Sequence, residues 1–311
     1  MSYFYCIRKN GNNRELNCLK EAVMKNLVVN WHITEKCNYH CKFCFAKWNR
    51  QNEIWDNLDN AKSVLDNLYS YWKSDYRLNF VGGEPLLFSS KIIPVMKYAI
   101  SLGMNISVQT NGSNLELLKP IIKSMSQIGV SIDSWNHERN ISIGRCCGNK
   151  SLNKEELKSK LDLLRDAGGT FKLKINTVIS EWNWDDIVIP QMQELDCNRI
   201  KILKQMPFGN SKGITQEQFY FFLRNNYCKS LPIYIEDNDL MTESYLMISP
   251  NGKLFQNGSF NEYTYSESLL MTDFLDALKQ ISFDIDKFQA RYVSDRTNQI
   301  IQEAFSRNKT A

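Results

Sequence analysis

The sequence has no long apolar run and no disulfide pattern. Its uninterrupted apolar stretches, such as Leu27–Val29, are far too short to cross a bilayer, and the N-terminal MSYFYCIRKNGNN has no apolar block typical of a signal peptide. Nine cysteines is an odd number, and they show no repeated spacing, which indicates reduced thiols and a metal site rather than a disulfide framework. We therefore expect a cytoplasmic protein without a membrane anchor.

A strong charge bias is also missing. A net charge of +4 over 311 residues is too small for a general nucleic-acid coat, so we expect no stable nucleic-acid complex and only local binding of any anion. The chain shows no internal repeat or low-complexity segment. Its 43% hydrophobic and 12% aromatic residues are enough to bury a full core in one large or two small domains.

Strand patterns and helix patterns alternate along the first two thirds of the chain. This alternation predicts parallel βαβ units with right-handed crossovers, and six units are too few for an eight-stranded closed barrel. The predicted class is α/β, a partial (β/α)6 barrel. The predicted strands are 26–34, 77–83, 105–112, 130–134, 170–179 and 199–206, with helices at 54–72, 91–103, 114–129, 154–169 and 185–195.

The pattern changes after about residue 206. A helix over 216–227 is followed by a hairpin over 244–258, whose PNG is a turn signal. We predict three parts: an N-terminal extension over 1–26, a barrel core over 27–206, and a C-terminal extension and substrate lid over 207–311. In parallel α/β folds the ligand binds at the carboxyl ends of the strands, so motifs that follow successive strands should share one rim.

Three cysteines follow the first predicted strand in CNYHCKFC, with the spacing C-x3-C-x2-C. One interpretation is a structural zinc site, but such sites usually have four protein ligands in short pairs. His40 is the one candidate for a fourth ligand. The other interpretation is a [4Fe–4S] cluster, in which three cysteines leave one iron open to an external ligand. The residues predicted to hold the metal are Cys37, Cys41 and Cys44.

This cysteine spacing resembles the signature of the radical S-adenosylmethionine (SAM) superfamily, whose open iron is chelated by SAM. The GGEPLL segment at residues 82–87, after the second strand, strengthens the resemblance. It implies that the glycines allow close backbone approach and that the Glu84 carboxylate accepts the ammonium of SAM. Two polar residues at later strand ends fall where the superfamily contacts SAM. The implied cofactor-binding residues are Gly82, Gly83, Glu84, Asn111 and Ser131.

Cations stand on one face of two neighbouring strands. Alternation places Lys172, Lys174 and Asn176 on one face of the fifth strand, and Arg199 and Lys201 on one face of the sixth. Central parallel strands are covered on both sides, so inward lysines without partners would carry a heavy desolvation penalty. A polyanionic ligand would remove that conflict. Lys47 and Arg145 follow the same rim, and several cations around one cavity suit a triphosphate.

These residues carry a closer resemblance, to the viperin family of radical SAM nucleotide dehydratases and especially its prokaryotic members. The similar blocks are CNYHCKFCFAKW, NFVGGEPLL, VSIDSWNHERNISIGR, FKLKINTVI and RIKILKQ, with weaker similarity in SYLMISPNGKLF and FQARYV. The resemblance implies that Lys47, Arg145, Lys174, Asn176, Arg199 and Lys201 bind the phosphates of a nucleoside triphosphate.

The implied activity is that of a lyase, a 3′-deoxy-3′,4′-didehydronucleotide synthase. A 5′-deoxyadenosyl radical from SAM would take the ribose 4′ hydrogen, and the 3′ hydroxyl would leave as water. The product lacks the hydroxyl that a polymerase extends, which implies chain termination in antiviral, anti-phage defence. An electron donor such as flavodoxin or ferredoxin would supply electrons to the cluster.

The chain departs from animal viperin where base selectivity is concerned, because Asn251 stands in place of an aromatic residue. An amide both donates and accepts hydrogen bonds, which favours a pyrimidine, UTP or CTP, although stabilising the PNG turn is its commoner use.

Two other functions remain open. The first is another radical SAM enzyme acting on a phosphorylated nucleotide, such as the GTP cyclase of molybdenum cofactor synthesis. That cyclase would need a second cysteine site near the C-terminus, but no cysteine follows Cys228. A zinc or iron–sulfur module without turnover would leave the GGE segment and the inward cations without a role.

Overall fold

Ten strands form a single sheet in the order β10-β9-β8-β1-β2-β3-β4-β5-β6-β7. The structure, a computed structural model, describes residues 27–46, 52–72, 76–207, 213–257, 263–292 and 294–306. The strands are β1 Leu27–Thr34, β2 Tyr76–Gly82, β3 Asn105–Thr110, β4 Met125–Ser131, β5 Lys172–Ile179, β6 Arg199–Lys204, β7 Ile233–Glu236, β8 Leu246–Ile248, β9 Lys253–Asn257 and β10 Tyr263–Ser268.

Helices connect the parallel strands. The described α-helices are α1 Leu58–Trp72, α2 Ser89–Ser101, α3 His137–Ile143, α4 Lys154–Asp166, α5 Gln216–Asn226, α6 Asn238–Met241, α7 Phe274–Lys279, α8 Ile285–Ala290 and α9 Ser294–Ser306. Short 3-10 helices lie at Ile54–Asp56, Pro85–Phe88, Leu115–Ser124 and Pro190–Leu195. In the part of the chain that the structure describes, no helix is both long and apolar enough for a membrane span.

The predicted α/β class with parallel strands is confirmed. Neighbours from β1 through β7 pair in parallel, and β8 adds a parallel pair on the other side of β1. Each strand has one face against helices and one face inward. On β5, Leu173 and Ile175 are buried in the outer hydrophobic core, whereas Lys174 and Asn176 point into the barrel. This alternation places apolar side chains outside and polar ones inside.

Two predicted helices are wrong in type or extent. The segment 114–129 forms only a 3-10 helix over Leu115–Ser124, and β4 then begins at Met125 instead of at Val130. Pro120 lies inside that helix and has no N–H to donate, which disfavours a regular α-helix. In the predicted helix 185–195, only a short 3-10 helix forms, over Pro190–Leu195.

The C-terminal hairpin is confirmed as the antiparallel pair β8 and β9, with Gly252 in the turn at φ 75°. The sequence patterns did not predict β7, β10 or the helices α3 and α6 to α9. The parallel run therefore extends through β7, beyond the predicted core limit at residue 206. The division at residues 26 and 206 stays a prediction, and 1–26 lies outside the described residues.

Candidate active site at the strand carboxyl ends

A cavity of about 330 Å³ opens inside the curved sheet. It is lined by side chains from β1 to β6, from the loop after β1 and from the C-terminal segment. Lys47 lies outside the described residues, and Glu84 lies behind the cavity wall. The sequence-predicted residues that line this cavity are Cys37, Cys41, Cys44, Gly82, Gly83, Asn111, Ser131, Arg145, Lys174, Asn176, Arg199 and Lys201.

The cysteine loop after β1 is held on one side by the GGE segment. The N–H of Gly83 donates to the carbonyl of Thr34 at 2.6 Å, and the N–H of Glu84 donates to that of Lys36 at 2.8 Å. A Cβ on Gly83 would lie 2.2 Å from the Lys36 oxygen, and one on Gly82, at φ 151°, would lie 2.2 Å from the Thr34 oxygen. Because any side chain would collide with this loop, glycine is required at both positions.

The other side of the loop is held by the IGR segment after helix α3. The N–H of His40 donates to the carbonyl of Gly144, and the N–H of Lys42 donates to that of Ile143, both at 3.0 Å. Gly144 caps α3 in the left-handed conformation at φ 82°, and a Cβ there would lie 2.3 Å from the His40 oxygen. Two glycine-containing segments, GGE and IGR, therefore fix the backbone that carries the thiols.

The three thiols open onto the same cavity. Burial raises the pKa of Cys37 to about 11 and that of Cys41 to about 12, and the nearby Arg145 guanidinium opposes both shifts. A bound metal would displace these protons, because the thiolate is the ligand. His40, the candidate fourth zinc ligand, is exposed and does not line the cavity. Three cavity thiols, with His40 pointing away from the cavity, fit a [4Fe–4S] cluster with one open iron.

The carboxylate of Glu84, a predicted SAM-binding residue, is engaged inside the protein. Its carboxylate is fully buried and accepts hydrogen bonds from the N–H of Leu86 at 3.0 Å, the Thr110 hydroxyl at 2.7 Å and the N–H of Asn111 at 2.7 Å. Burial raises its pKa, and these three donors oppose that shift. The carboxylate therefore links the end of β2 to the end of β3, and its contact with the ammonium of SAM stays a prediction.

Asn111 and Ser131 lie on the wall beside the thiols. The Asn111 amide donates to Asn38 Oδ1 at 2.8 Å and lies 3.9 Å from Cys37 Sγ. Ser131 Oγ accepts from the Gln109 amide at 3.1 Å. Both side chains sit where strands β3 and β4 end, which agrees with the predicted common rim.

Strand register brings four predicted phosphate-binding residues together. Lys174 lies opposite Arg199, and Asn176 lies opposite Lys201, on the adjacent strands β5 and β6. Burial lowers the pKa of Lys174 to about 7, and its Nζ lies 3.5 Å from Gln109 Oε1. Lys172, at the start of the same strand, is exposed and is not part of the cavity wall.

Arg145 belongs to the thiol end of the cavity. Its Nε forms an ion pair with the fully buried carboxylate of Asp133, and its guanidinium carbon lies 5.8 Å from the Phe43 ring centre. Although burial opposes the shift, Asp133 raises the pKa of Arg145 above its usual range. Arg145 therefore has a counterion of its own close to the cysteine loop, whereas Lys201 on β6 shares the carboxylate of Glu236 with Arg291.

Sequence reasoning missed several charged residues of the site. Arg77 on β2 points inward by the same alternation that identified Lys174, so that signal was available. Arg291 follows helix α8 in a loop and has no strand pattern to reveal it. Glu236 ends β7, which was itself missed. The described lining residues include no carboxylate and seven cations, namely Arg77, Arg145, Lys174, Arg199, Lys201, Lys204 and Arg291.

Asn251 is not among the described residues that line the cavity. Its Oδ1 accepts from the Ser249 hydroxyl at 2.5 Å inside the β8–β9 turn, so the structure gives it the turn-stabilising role. Its own hairpin does reach the cavity, through Met247 and Asn257.

Comparison with known proteins agrees with this site. Residues 31–188 match the Radical SAM superfamily. An S-adenosylmethionine-dependent nucleotide dehydratase from Fibrobacter sp. (strain UWH6) is 44% identical over 89% of this chain and 91% of its own length. One from Psychrobacter lutiphocae is 37% identical over 86% and 95%.

The crystal structure of Streptococcus suis SuiB bound to S-adenosylmethionine has the same fold, with a TM-score of 0.60 and 14% identity over 93% of this chain and 73% of that one. The superfamily uses a [4Fe–4S] cluster and SAM, which the three cavity thiols fit. The chain belongs to the radical SAM superfamily and, within it, to the S-adenosylmethionine-dependent nucleotide dehydratases.

Proposed function

We propose that this enzyme dehydrates a ribonucleoside triphosphate to its 3′-deoxy-3′,4′-didehydro form. One observation carries the proposal: a single cavity is lined by three thiols from the loop after β1 and by cations from β5 and β6. In the sheet, β1 and β6 are separated by four strands, so only the curvature of the sheet brings these groups to one space. A cofactor and a polyanionic substrate can therefore be adjacent.

The thiol end would hold the cofactors. Cys37, Cys41 and Cys44 would bind three irons and leave the fourth to SAM. When bound, the cluster and SAM supply the radical chemistry that removes the ribose 4′ hydrogen. The rim residues that would contact SAM are Gly82, Gly83, Asn111 and Ser131, with Glu84 positioning Asn111 through its backbone N–H.

The cationic part would hold the triphosphate. Lys174, Asn176, Arg199 and Lys201 are the proposed contacts, and hydrogen bonds to charged groups are worth about 1.5–3 kcal/mol each. Arg77 and Arg291 line the same space and join the set. Arg145 and Lys47 remain proposed phosphate contacts from the resemblance, the first beside Asp133 and the second outside the described residues.

The chain itself orients the ribose and keeps water out. Relative to the substrate, the product has lost hydrogen from C4′ and hydroxide from C3′ and has gained one electron, and the hydroxide leaves as water after protonation. No side chain needs to abstract the hydrogen, so the protein contributes position and shielding. An external one-electron donor of the flavodoxin or ferredoxin class is part of the proposal.

A pyrimidine nucleotide, UTP or CTP, is the proposed substrate. The amide expected of Asn251 is supplied instead by Asn257, which lines the cavity with Tyr245 and Met247. Asn257 Nδ2 donates to the Met241 carbonyl at 3.0 Å, which fixes the orientation of the amide beside the cavity. A fixed amide is suited to reading the polar edge of a base.

The biological role that follows is antiviral defence, because the product would terminate chains made by a phage polymerase. A cytoplasmic location is also proposed, and it rests on the odd number of cysteines without disulfide spacing.

The test is to incubate the reduced enzyme and SAM with each of the four ribonucleoside triphosphates separately. We expect a nucleotide product lighter by one water, formed fastest from UTP or CTP. Cleavage of SAM with no change in any nucleotide would contradict the dehydratase proposal. Preference for ATP or GTP would contradict only the pyrimidine assignment.

A further inference from the structure

The two ends of the parallel sheet meet at one buried carboxylate. Strands β7 and β8 have six strands between them in the sheet, yet Glu236 at the end of β7 accepts a hydrogen bond from the hydroxyl of Tyr245, just before β8. The two residues are nine positions apart in the chain. The chain therefore crosses the open side of the barrel in a short step, and this side-chain pair closes the seam.

Cations from two other segments share that carboxylate. Glu236 Oε1 forms ion pairs with Lys201 Nζ on β6 and with Arg291 Nε after α8, the latter at 3.2 Å. Arg291 Nη1 also donates to the Ser244 carbonyl at 2.6 Å, and its guanidinium carbon lies 3.4 Å from the Tyr245 ring centre. Exposure is 1% for Glu236, 4% for Lys201 and 5% for Arg291.

Only the cations of this group reach the cavity. Lys201 and Arg291 line it together with Tyr245, whereas Glu236 stands behind them and is not among the described lining residues. The carboxylate is thus placed to act on a bound anion through its partners. Without a counterion, two buried cations side by side would repel each other, and their desolvation would cost free energy.

We propose that Glu236 is the positioning residue of the polyphosphate site: it fixes the spacing of Lys201 and Arg291 and supplies the negative charge that stabilises them, so that they can receive phosphate oxygens. This inference rests on the proposed function, because it assumes that the cavity takes a nucleoside triphosphate.

The charges around Glu236 support this role. The groups that interact with Glu236 are Lys201 from β6, Lys174 from β5, Tyr245 before β8 and Arg291 after α8. Arg77 from β2 and Arg199 from β6 act on Lys174, and Tyr292 acts on Tyr245 and Arg291. Burial lowers the pKa of Lys174 and Lys201, and the charge of Glu236 opposes the shift in both. Despite its own burial, Arg291 and Lys201 hold the pKa of Glu236 below its usual range. Glu236 is therefore the anion that favours the charged form of both lysines.

The experiment compares Glu236→Gln with the wild type and with Tyr245→Phe. Glu236→Gln removes the charge and keeps the size, whereas Tyr245→Phe removes one hydrogen bond to the carboxylate and keeps the charge. Binding of inorganic tripolyphosphate and of UTP is measured by calorimetry at about pH 8 and about pH 6.5. Iron content and SAM binding are measured in the same samples as controls for folding.

For Glu236→Gln we expect affinity for both ligands to fall about tenfold or more at the higher pH, since a pKa lowered by one unit reduces the protonated fraction of a lysine about tenfold at a pH above its pKa. The loss relative to wild type should be smaller at the lower pH, where the lysines regain part of their protons. Dividing the affinity of the variant by that of the wild type at the same pH cancels the effect of pH on the charge of the phosphates. Tyr245→Phe should lose less affinity than Glu236→Gln at the higher pH, and its loss should not depend on pH, because it keeps the charge of Glu236.

Three results would overturn the proposal: an unchanged affinity in Glu236→Gln, a loss of equal size at both pH values, or an equal loss in Tyr245→Phe. The last two would mark a role in packing alone. If Glu236→Gln does not fold, Glu236→Asp is measured instead. A carboxylate shorter by one methylene cannot hold all three partners, so wild-type affinity in Glu236→Asp would also overturn the proposal.

Failure of the proposed function gives a different result. If wild-type enzyme bound neither tripolyphosphate nor UTP, the polyphosphate site itself would be wrong. If wild type bound and dehydrated UTP while the Glu236 variants behaved like it, only the positioning role would be wrong.

Discussion

The thiol end and the phosphate end of the cavity are built in different ways. Around the thiols the structure is held mainly by backbone contacts. Gly82, Gly83 and Gly144 leave no room for a Cβ, and main-chain hydrogen bonds fix the cysteine loop. Around the proposed phosphate site, side chains from β2, β5, β6 and β7 and from the loop after α8 converge, and their charges hold one another in place. A single substitution at the thiol end should therefore abolish cofactor binding, whereas a single substitution at the phosphate end should only weaken nucleotide binding.

The largest effect is expected at the thiols. Replacing Cys37, Cys41 or Cys44 by Ala should abolish the cluster and all activity, because two remaining thiolates are too few anchors. Cys146→Ala and Cys147→Ala are the controls, since neither residue is among the described lining residues. Iron content and visible absorption after anaerobic reconstitution give the answer. Loss of the cluster in Cys146→Ala, with retention in Cys41→Ala, would refute the assignment.

A glycine pair separates close packing from backbone strain. Gly144 and Gly103 have nearly equal φ, 82° and 80°, but a Cβ on Gly144 would meet the His40 oxygen at 2.3 Å, whereas one on Gly103 would meet nothing within 4 Å. Gly103→Ala should cost only the left-handed strain, about 1–2 kcal/mol of unfolding free energy. Gly144→Ala should cost more and should also lower iron retention. Equal stability and iron content in the two variants would show that packing against the loop is unimportant.

At the phosphate end, Lys174→Ala or Lys201→Ala should weaken nucleoside triphosphate binding by about 1.5–3 kcal/mol and leave SAM binding nearly unchanged. Lys172→Ala is the matched control, because Lys172 lies on the same strand but is exposed. Titration of each variant with nucleotide measures the effect. Unchanged affinity in both Lys174→Ala and Lys201→Ala would move the site elsewhere.

Triphosphate affinity should also depend on pH. Burial lowers the pKa of Lys174 to about 7, so this side chain is charged below that pH and neutral above it. Binding should weaken as pH rises through about 7 to about 8.5, by up to about tenfold per unit, and Lys174→Gln should show a flatter profile. Calorimetric titrations across this range measure the slope. An identical slope in Lys174→Gln would assign the titration to another group.

The smallest expected effect concerns the base. Asn257→Ala should change the preference among nucleotides by a few-fold, about 1 kcal/mol for one neutral hydrogen bond, whereas Asn251→Ala should leave it unchanged. Competition between equimolar nucleotides, read from the product ratio, gives both numbers. A changed preference in Asn251→Ala and not in Asn257→Ala would assign base recognition to Asn251, as the sequence predicts.

The same contrast explains what the sequence reveals. The thiol end is encoded locally, in a short spacing and two glycine-containing segments, so Cys37, Gly83 and Gly144 are all in recognisable blocks. Lys174 and Lys201 were also predictable, because alternation fixes which face of a strand a residue occupies.

Other features depend on tertiary contacts. Glu84 is a carboxylate in a motif, and only the structure shows that three internal donors occupy it. Arg291 and Glu236 come from a loop and a four-residue strand, and no periodic pattern places them beside Lys201. Asn251 and Asn257 are both amides in one hairpin, and the register of β9 decides which of them reaches the cavity.

The most direct measurement is the transfer of deuterium from UTP or CTP labelled at the ribose 4′ position. If cofactor and nucleotide share the cavity, mass spectrometry should find one deuterium in the 5′-deoxyadenosine formed. The accompanying nucleotide product should lack the 4′ deuterium and the 3′ hydroxyl of the labelled substrate. Substrate labelled only at the base is the control and should transfer none. 5′-Deoxyadenosine that carries no deuterium from the 4′ position, formed alongside unchanged nucleotide, would contradict a shared site.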